Sequence, residues 1–307
     1  MRITKPTVMM MGLLLTGLSF VSTARADGIR SYISPSGSDN RPCSRNQPCR
    51  TFDAAIAKTD AGGEIIALET GTYEPTTVTK SITLAAAPGA DVAIRATGGN
   101  AVTVTPNTGD AVVLRGLRLG GPGKNVAGTN GVFVDITSPN CCITVHVENT
   151  MITDFEDGVQ MNLGVAGRLI VSDSVLRANK NGANFSVGGA EANGASFERT
   201  RFEHNDVGLL APNGNSISVS NSIATGNGTG IQTEGGKVDL FQSVITKNST
   251  GIKTNSGSVR MGYCSVTGNG SGVSTGGGLV HSMGNNMIVN NDIDVAGTNS
   301  FVTFLAR

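Results

Sequence analysis

Between residues 130 and 295 the chain is a succession of short runs in which apolar and polar residues alternate. Gly230-Ile231-Gln232-Thr233, Val238-Asp239-Leu240 and Val244-Ile245-Thr246 are three such runs in one stretch. Ile231, Val238 and Leu240 can face one side while Gln232 and Asp239 face the other, the two-residue period of a strand. Each run has three to five residues, too few for a capped helix. The pattern predicts many short strands joined by tight corners.

The runs repeat. A Gly followed by an apolar residue recurs at Gly131, Gly158, Gly182, Gly208, Gly230, Gly251 and Gly272, with spacings of 27, 24, 26, 22, 21 and 21 residues. A small polar mark recurs at Thr150, Ser174, Thr200, Ser222, Ser243, Cys264 and Asn285. An Asn follows five residues later at Asn179, Asn205, Asn227, Asn248, Asn269 and Asn290. Each mark precedes its Gly by eight residues, whereas the arc from Gly to the next mark varies. One arc of the repeat is therefore constant and another carries insertions, the longest after Gly131, Gly158 and Gly182. A 21-residue coil of three short strands is a parallel β-solenoid, its equivalent side chains stacked about 4.8 Å apart. Asn is expected to take left-handed corners and to bond the neighbouring coil; Gly is expected where φ is positive.

Upstream, Val78 to Leu84 and Val112 to Leu119 read as strand, bend and strand. Phe52, Ala55 and Ile56 have helical spacing within Thr51 to Lys58, which predicts a short N-terminal helix capping the open end. Ser300 to Leu305 is expected to close the other end. The fold class is thus all-β, a parallel β-helix with one capping helix. Residues 27–307 read as a single domain: a cap and first coil at 27–75, coils at 76–295 and a closing segment at 296–307.

Composition fits this picture. Glycine accounts for 42 of 307 residues, aromatics for 4%, charged residues for 15%, and Trp is absent. A helical bundle or a disordered chain would be composed differently. Residues 1–26 read as a secretory signal: Arg2 and Lys5, an apolar stretch from Val8 to Phe20, and Ala24-Arg25-Ala26 at the cleavage point. No second apolar run follows, so no integral membrane segment is expected after cleavage. Removal of three basic residues leaves 20 against 23 acidic, a net charge of −3, which argues against a nucleic-acid partner. A secreted or periplasmic location is expected, and a disulfide between Cys43 and Cys49 with it. Cys141 and Cys142 are adjacent, and either a strained vicinal bond or two thiols fits them; Cys264 has no evident partner. His146, His204 and His281 are scattered, so no metal site is expected.

A resemblance is carried by three segments: Cys49-Arg50-Thr51-Phe52-Asp53-Ala54-Ala55-Ile56, Gly63-Glu64-Ile65-Ile66-Ala67-Leu68 and Gly71-Thr72-Tyr73. With the Asn-rich repeats they resemble the opening segment and coils of secreted right-handed parallel β-helix proteins of the pectin-lyase-like superfamily, over about residues 32–295. The resemblance implies right-handedness and a partner such as a polysaccharide or cell-surface glycan. Lyases, hydrolases and esterases of that superfamily act along the outer face of one sheet. The Asn-Thr-Asp, Asp-Asp and Gly-His-Gly motifs of polygalacturonases are absent, as are the Arg-x-Pro-x-x-Arg of pectate lyases and the Asp-Pro-His-Asp of mannuronan epimerases. Asp154-Phe155-Glu156-Asp157-Gly158 shares only its ends with a pectin methylesterase segment, and the repeat already explains Gly158.

A site without a known motif is expected where Glu156, Lys180 and Asp206 occupy equivalent places, each two residues before a repeat glycine. Two carboxylates two coils apart lie about 10 Å from each other, near the 6.5–9.5 Å separation of an inverting glycosidase. A lyase could use Lys180 as base if burial lowered its pKa, with the His204 imidazole nearby. The candidate catalytic set is Glu156, Lys180, His204 and Asp206. Asp157, Gln160, Asn184, Gln232 and Lys253 are the candidate substrate-binding residues. No cofactor is expected, with calcium entering only for lyase-type chemistry. The competing reading is a ladder of opposite charges on a solvated face. Two functions follow: a protein that interacts with, and in an enzymatic version cleaves, an acidic polysaccharide, or a non-catalytic envelope scaffold or adhesion protein.

Overall fold

The computed structural model describes residues 28–136, 142–163, 167–186, 193–297 and 301–303. The expected signal segment lies outside the described residues. So do Cys141 and the tips of the arcs after Gly131, Gly158 and Gly182. Apart from the helix Phe52–Lys58, the regular structure is β. Three stacks of parallel strands run along one axis. Thr76–Val78, Val102–Val104, Asn130–Ile136, Asp157–Leu163, Asn181–Ser186 and Val207–Pro212 belong to the first stack. Ile143–Glu148, Gly167–Ser172, Asn193–Glu198 and Asn215–Ser220 belong to the second. Met151–Thr153, Val175–Arg177, Arg201–Glu203 and Ile223–Thr225 belong to the third. The third stack forms one sheet of ten strands, giving about ten coils. In the 21-residue coils the first two strands fuse into bent strands, Thr229–Phe241 and Thr250–Gly262.

Two-residue alternation fills the interior with ladders of like side chains. Tyr73, Ile94, Leu119, Ile152, Leu176, Phe202, Ala224, Ile245, Val266 and Ile288 are in register along the third stack. Across the core Phe197 packs on Phe202 at 5.2 Å between ring centroids. At the N-terminal end Thr51 caps the helix, its Oγ1 accepting from the Ala54 N–H, and Phe52, Ala55 and Ile56 are buried over the first coil. A disulfide joins Cys43 and Cys49 beside the helix. Cys264 is a buried thiol in the position held by Thr or Ser in other coils.

The corners correct two readings of the repeat. At this corner the left-handed residues are not the ladder residues, Phe155 and the asparagines, but those just before them: Asp154, Ala178, His204, Gly226, Lys247, Gly268 and Asn290. That turn points the following side chain inward. Asn179, Asn205, Asn227, Asn248 and Asn269 are therefore buried, each Oδ1 accepting from the backbone N–H of the preceding coil's corner. The last member is Asn291, not Asn290, and the last polar mark is Asn286, not Asn285, because the final coil is one residue longer. Nor do the repeat glycines have positive φ. A Cβ on Gly208 would meet the Gly230 carbonyl oxygen at 2.4 Å, so close approach between coils is what excludes a side chain there.

Candidate functional site

Glu156, Lys180 and Asp206 follow the buried ladder residues Phe155, Asn179 and Asn205 at the corner between the third and first stacks. Lys180 N–H donates to Phe155 O, and Asp206 N–H to Asn179 O, so the three positions stack coil on coil. The structure brings the three charges together and adds a fourth. After the strand Leu117–Gly120, residues 121–129 form a strap over this corner. Gly121 N–H donates to Thr153 O and Gly123 N–H to Asp154 O. Thr129 Oγ1 accepts from Glu156 N–H at 3.1 Å. Lys124 then reaches across the coils to donate to Asp206 Oδ1 at 2.6 Å. Gly120-Gly121-Pro122-Gly123 marks a loop in the sequence, but nothing in it tells where the loop lies.

Glu156 accepts from Lys180 Nζ at 2.8 Å through Oε1 and from Gly128 N–H at 2.7 Å through Oε2. The Lys180 bond holds its pKa below the ordinary carboxylate range. The same bond holds the Lys180 ammonium above its ordinary value. A glycosidase acid needs a raised carboxyl, and a lysine base needs a lowered ammonium. The corner therefore offers a fixed carboxylate and a fixed ammonium at neutral pH rather than a proton donor and acceptor. His204 sits at the left-handed position, exposed, with its imidazole against Gly226 one coil on.

Asp157 lies one residue further and behaves differently. Asp157, Gly158 and Val159 are all buried, because alternation breaks where the corner enters the strand. Asn181 Nδ2 donates to Asp157 Oδ1 at 2.7 Å, and Asn184 Nδ2 donates to Oδ2 at 3.1 Å. Asp157 thus positions two asparagines instead of presenting a carboxylate to solvent. Burial raises its pKa, against the pull of the two amides. The native state then keeps this proton to higher pH than the unfolded chain does, so stability falls as pH rises through that window. Relative to Asp157→Asn, the parent is expected to lose melting temperature as pH rises above the ordinary aspartate range near about 4. Parallel melting curves of the two proteins would exclude this.

Gln160, Asn184, Gln232 and Lys253 fall on one outward ladder of the first stack, in the register Phe133, Gln160, Asn184, Leu210, Gln232, Lys253, Ser274. Four coil steps separate Gln160 from Lys253, about 19 Å at the usual strand spacing. Gln232 also donates to Glu234 at 2.7 Å. Phe133 is half-buried on this ladder, whereas Phe185 is buried in the core. Among the described residues no three His, Cys, Asp or Glu side chains converge as metal ligands would. No helix among them is long and apolar enough to cross a membrane.

No family model matches the chain, and no curated protein matches it at significant similarity. Solved structures do match. The pectate lyase Pel9A superimposes with a TM-score of 0.53 at 17% identity, over 91% of this chain and 80% of that one. XylC in complex with xylose gives 0.54 at 8% identity, over 82% and 68%. Full-length tailspike protein 2 of Escherichia coli O157:H7 bacteriophage CAB120 gives 0.55 at 13% identity, over 82% of this chain but only 37% of the tailspike. At these identities the likeness is one of fold: the chain is a right-handed parallel β-helix with the pectin-lyase-like architecture of these proteins.

Proposed function

We propose that the protein holds an acidic polysaccharide, delivered to it outside the cytoplasm, along the first stack and its strapped corner. The observation that carries this is the single outward ladder of Gln160, Asn184, Gln232 and Lys253, bordered by Lys180 and Lys124 on a rigid frame. Amides offer both donors and acceptors to hydroxyls, and the two lysines offer charge to carboxylates. The Cys43–Cys49 disulfide suits an oxidising compartment. Pel9A is a pectate lyase and XylC was captured with xylose, so the same frame serves carbohydrate ligands elsewhere. The reading is of a holding site, because the shifts at Glu156 and Lys180 run against acid and base roles.

The pairing of Glu156 with Lys180 and of Asp206 with Lys124 favours a second reading, a spacer whose corner charges only satisfy one another. Titration with polygalacturonate and alginate at low salt separates the two. Binding that weakens with salt is expected. Lys124→Gln combined with Lys180→Gln is expected to weaken it about tenfold, the worth of two exposed charge contacts. Absence of binding, or equal affinity in the double variant, would favour the spacer. Following unsaturated products and reducing ends across pH, with and without calcium, tests cleavage in the same samples.

A further inference from the structure

The chain has no Trp. Phe52, Phe155, Phe185, Phe197 and Phe202 are buried. Among the described residues two aromatics are exposed, Phe241 at 39% and Tyr263 at 60%, and they touch. Their ring centroids are 5.3 Å apart, edge to face, at the corner between the second and third stacks.

Tyr263 is in the left-handed region, with φ of 55°. The equivalent corners hold Asn149, Asp173, Arg199, Asn221 and Gln242. Asn and Asp tolerate that conformation best, but Arg199, Gln242 and Tyr263 adopt it too because the corner imposes it. The corner thus accepts many residue types, and what sets this coil apart is the exposed ring itself. The fold gains no core packing from it, because the Tyr263 ring lies in solvent. The residue before it is Gly262, in register with Phe241. A Cβ on Gly262 would lie 2.9 Å from Met283 Sδ and 3.2 Å from Phe241 Cδ2. The glycine thus leaves a floor on which Phe241 and Met283 meet.

Polar groups border the floor. Arg260 makes a two-pronged pair with Asp239, Nε to Oδ1 at 2.6 Å and Nη2 to Oδ2 at 2.7 Å. Asp239, Arg260 and His281 stack in register two residues before the apolar row. A hollow of about 370 Å³ opens beside them, lined by Arg260, His281, Ser282 and Met283.

We propose that this corner is a saccharide-binding platform taking one or two pyranose rings of a glycan. A pyranose presents an apolar C–H face and a rim of hydroxyls. Phe241 and Tyr263 match the face, and Arg260, Asp239 and His281 match the rim. Val244, Leu279 and Met287 on these last coils are exposed as well, so a second copy of the chain is the competing occupant, and the touching aromatic pair with its charged border favours a sugar ring over it. The platform lies on another face and on later coils than the strapped corner, so either site can fail without the other.

Calorimetric titration with xylohexaose, cellohexaose, mannohexaose and trigalacturonate tests it. At least one probe is expected to bind with saturable heat below about 10 mM. Tyr263→Asn and Phe241→Ser are each expected to weaken that binding about tenfold or more. Tyr263→Asn restores a residue suited to the left-handed corner, so its melting temperature should match or exceed the parent's, which separates lost binding from lost folding. No saturable heat from any probe, or full affinity in Tyr263→Asn, would overturn the platform. So would a concentration-dependent dimer that Tyr263→Asn abolishes, which would assign the patch to a second copy of the chain.

Discussion

Asn227→Ala is expected to lower stability by about 3 kcal/mol, with unfolding measured by denaturant or heat. Asn227 occupies the middle of the buried ladder. Its Oδ1 accepts from Asn205 N–H at 2.9 Å and from Asn205 Nδ2 at 3.1 Å. Its Nδ2 donates to Phe202 O at 2.9 Å and to Asn248 Oδ1 at 2.9 Å. Alanine removes both functions at once, stranding the Asn205 N–H and the Phe202 carbonyl, both on the preceding coil. Each stranded buried group costs about 1–3 kcal/mol. For a chain of this size that is a fall in melting temperature of roughly 6–10 °C. Asn227→Asp separates the two functions. It keeps an acceptor for Asn205 but loses both donors and buries a carboxyl. Its folded-state pKa must rise, so this variant should regain stability as pH falls, unlike the alanine variant. A cost below 1 kcal/mol for alanine would mean that water or backbone movement replaces the ladder.

The ladder also shows why the fold was more legible than the site. The eight-residue arc from Thr150 to Gly158 recurs unchanged because every coil must turn the same corner in register with its neighbours. Such a constraint leaves a period, and a period can be read. The assignment slipped by one residue only at Asn291 and Asn286, where the last coil lengthens and only the hydrogen bonds show the register. The left-handed positions escaped because Asp154, Ala178, His204 and Lys247 share no residue type; the backbone fixes them, and their side chains are left to vary. At the site, Glu156, Lys180 and Asp206 were legible because they obey the repeat. Lys124 was not, since it meets Asp206 across 82 residues through a strap that occurs once. Asp157 is buried, which simple alternation does not foretell, because three consecutive residues turn inward at the corner. Tyr263 occupies a readable place in the repeat, but its contact with Phe241 on the neighbouring coil is visible only in the structure.

Gly208→Ala is expected to cost at least as much as losing the asparagine, about 3 kcal/mol or more, although it adds a single methyl group. The new Cβ would lie 2.4 Å from the Gly230 carbonyl oxygen and 3.2 Å from the Phe202 Cβ. The first neighbour is backbone, held by the strand pairing of the next coil, so no rotamer change relieves it. Relief requires adjacent coils to separate by several tenths of an ångström, and every ladder on either side shares that displacement. Gly194→Ala supplies the comparison. Among the described residues no atom lies within 4 Å of its added Cβ, and its backbone is outside the left-handed region. There the substitution removes freedom from the unfolded chain and should be neutral or stabilise by about 0.5 kcal/mol. Differential scanning calorimetry of the two variants against the parent reads both effects. Equal losses would mean that glycine matters here through backbone flexibility in general. A large loss at Gly208 with none at Gly194 would locate its role in the spacing between coils, where the Gly-apolar repeat of the sequence has its physical cause.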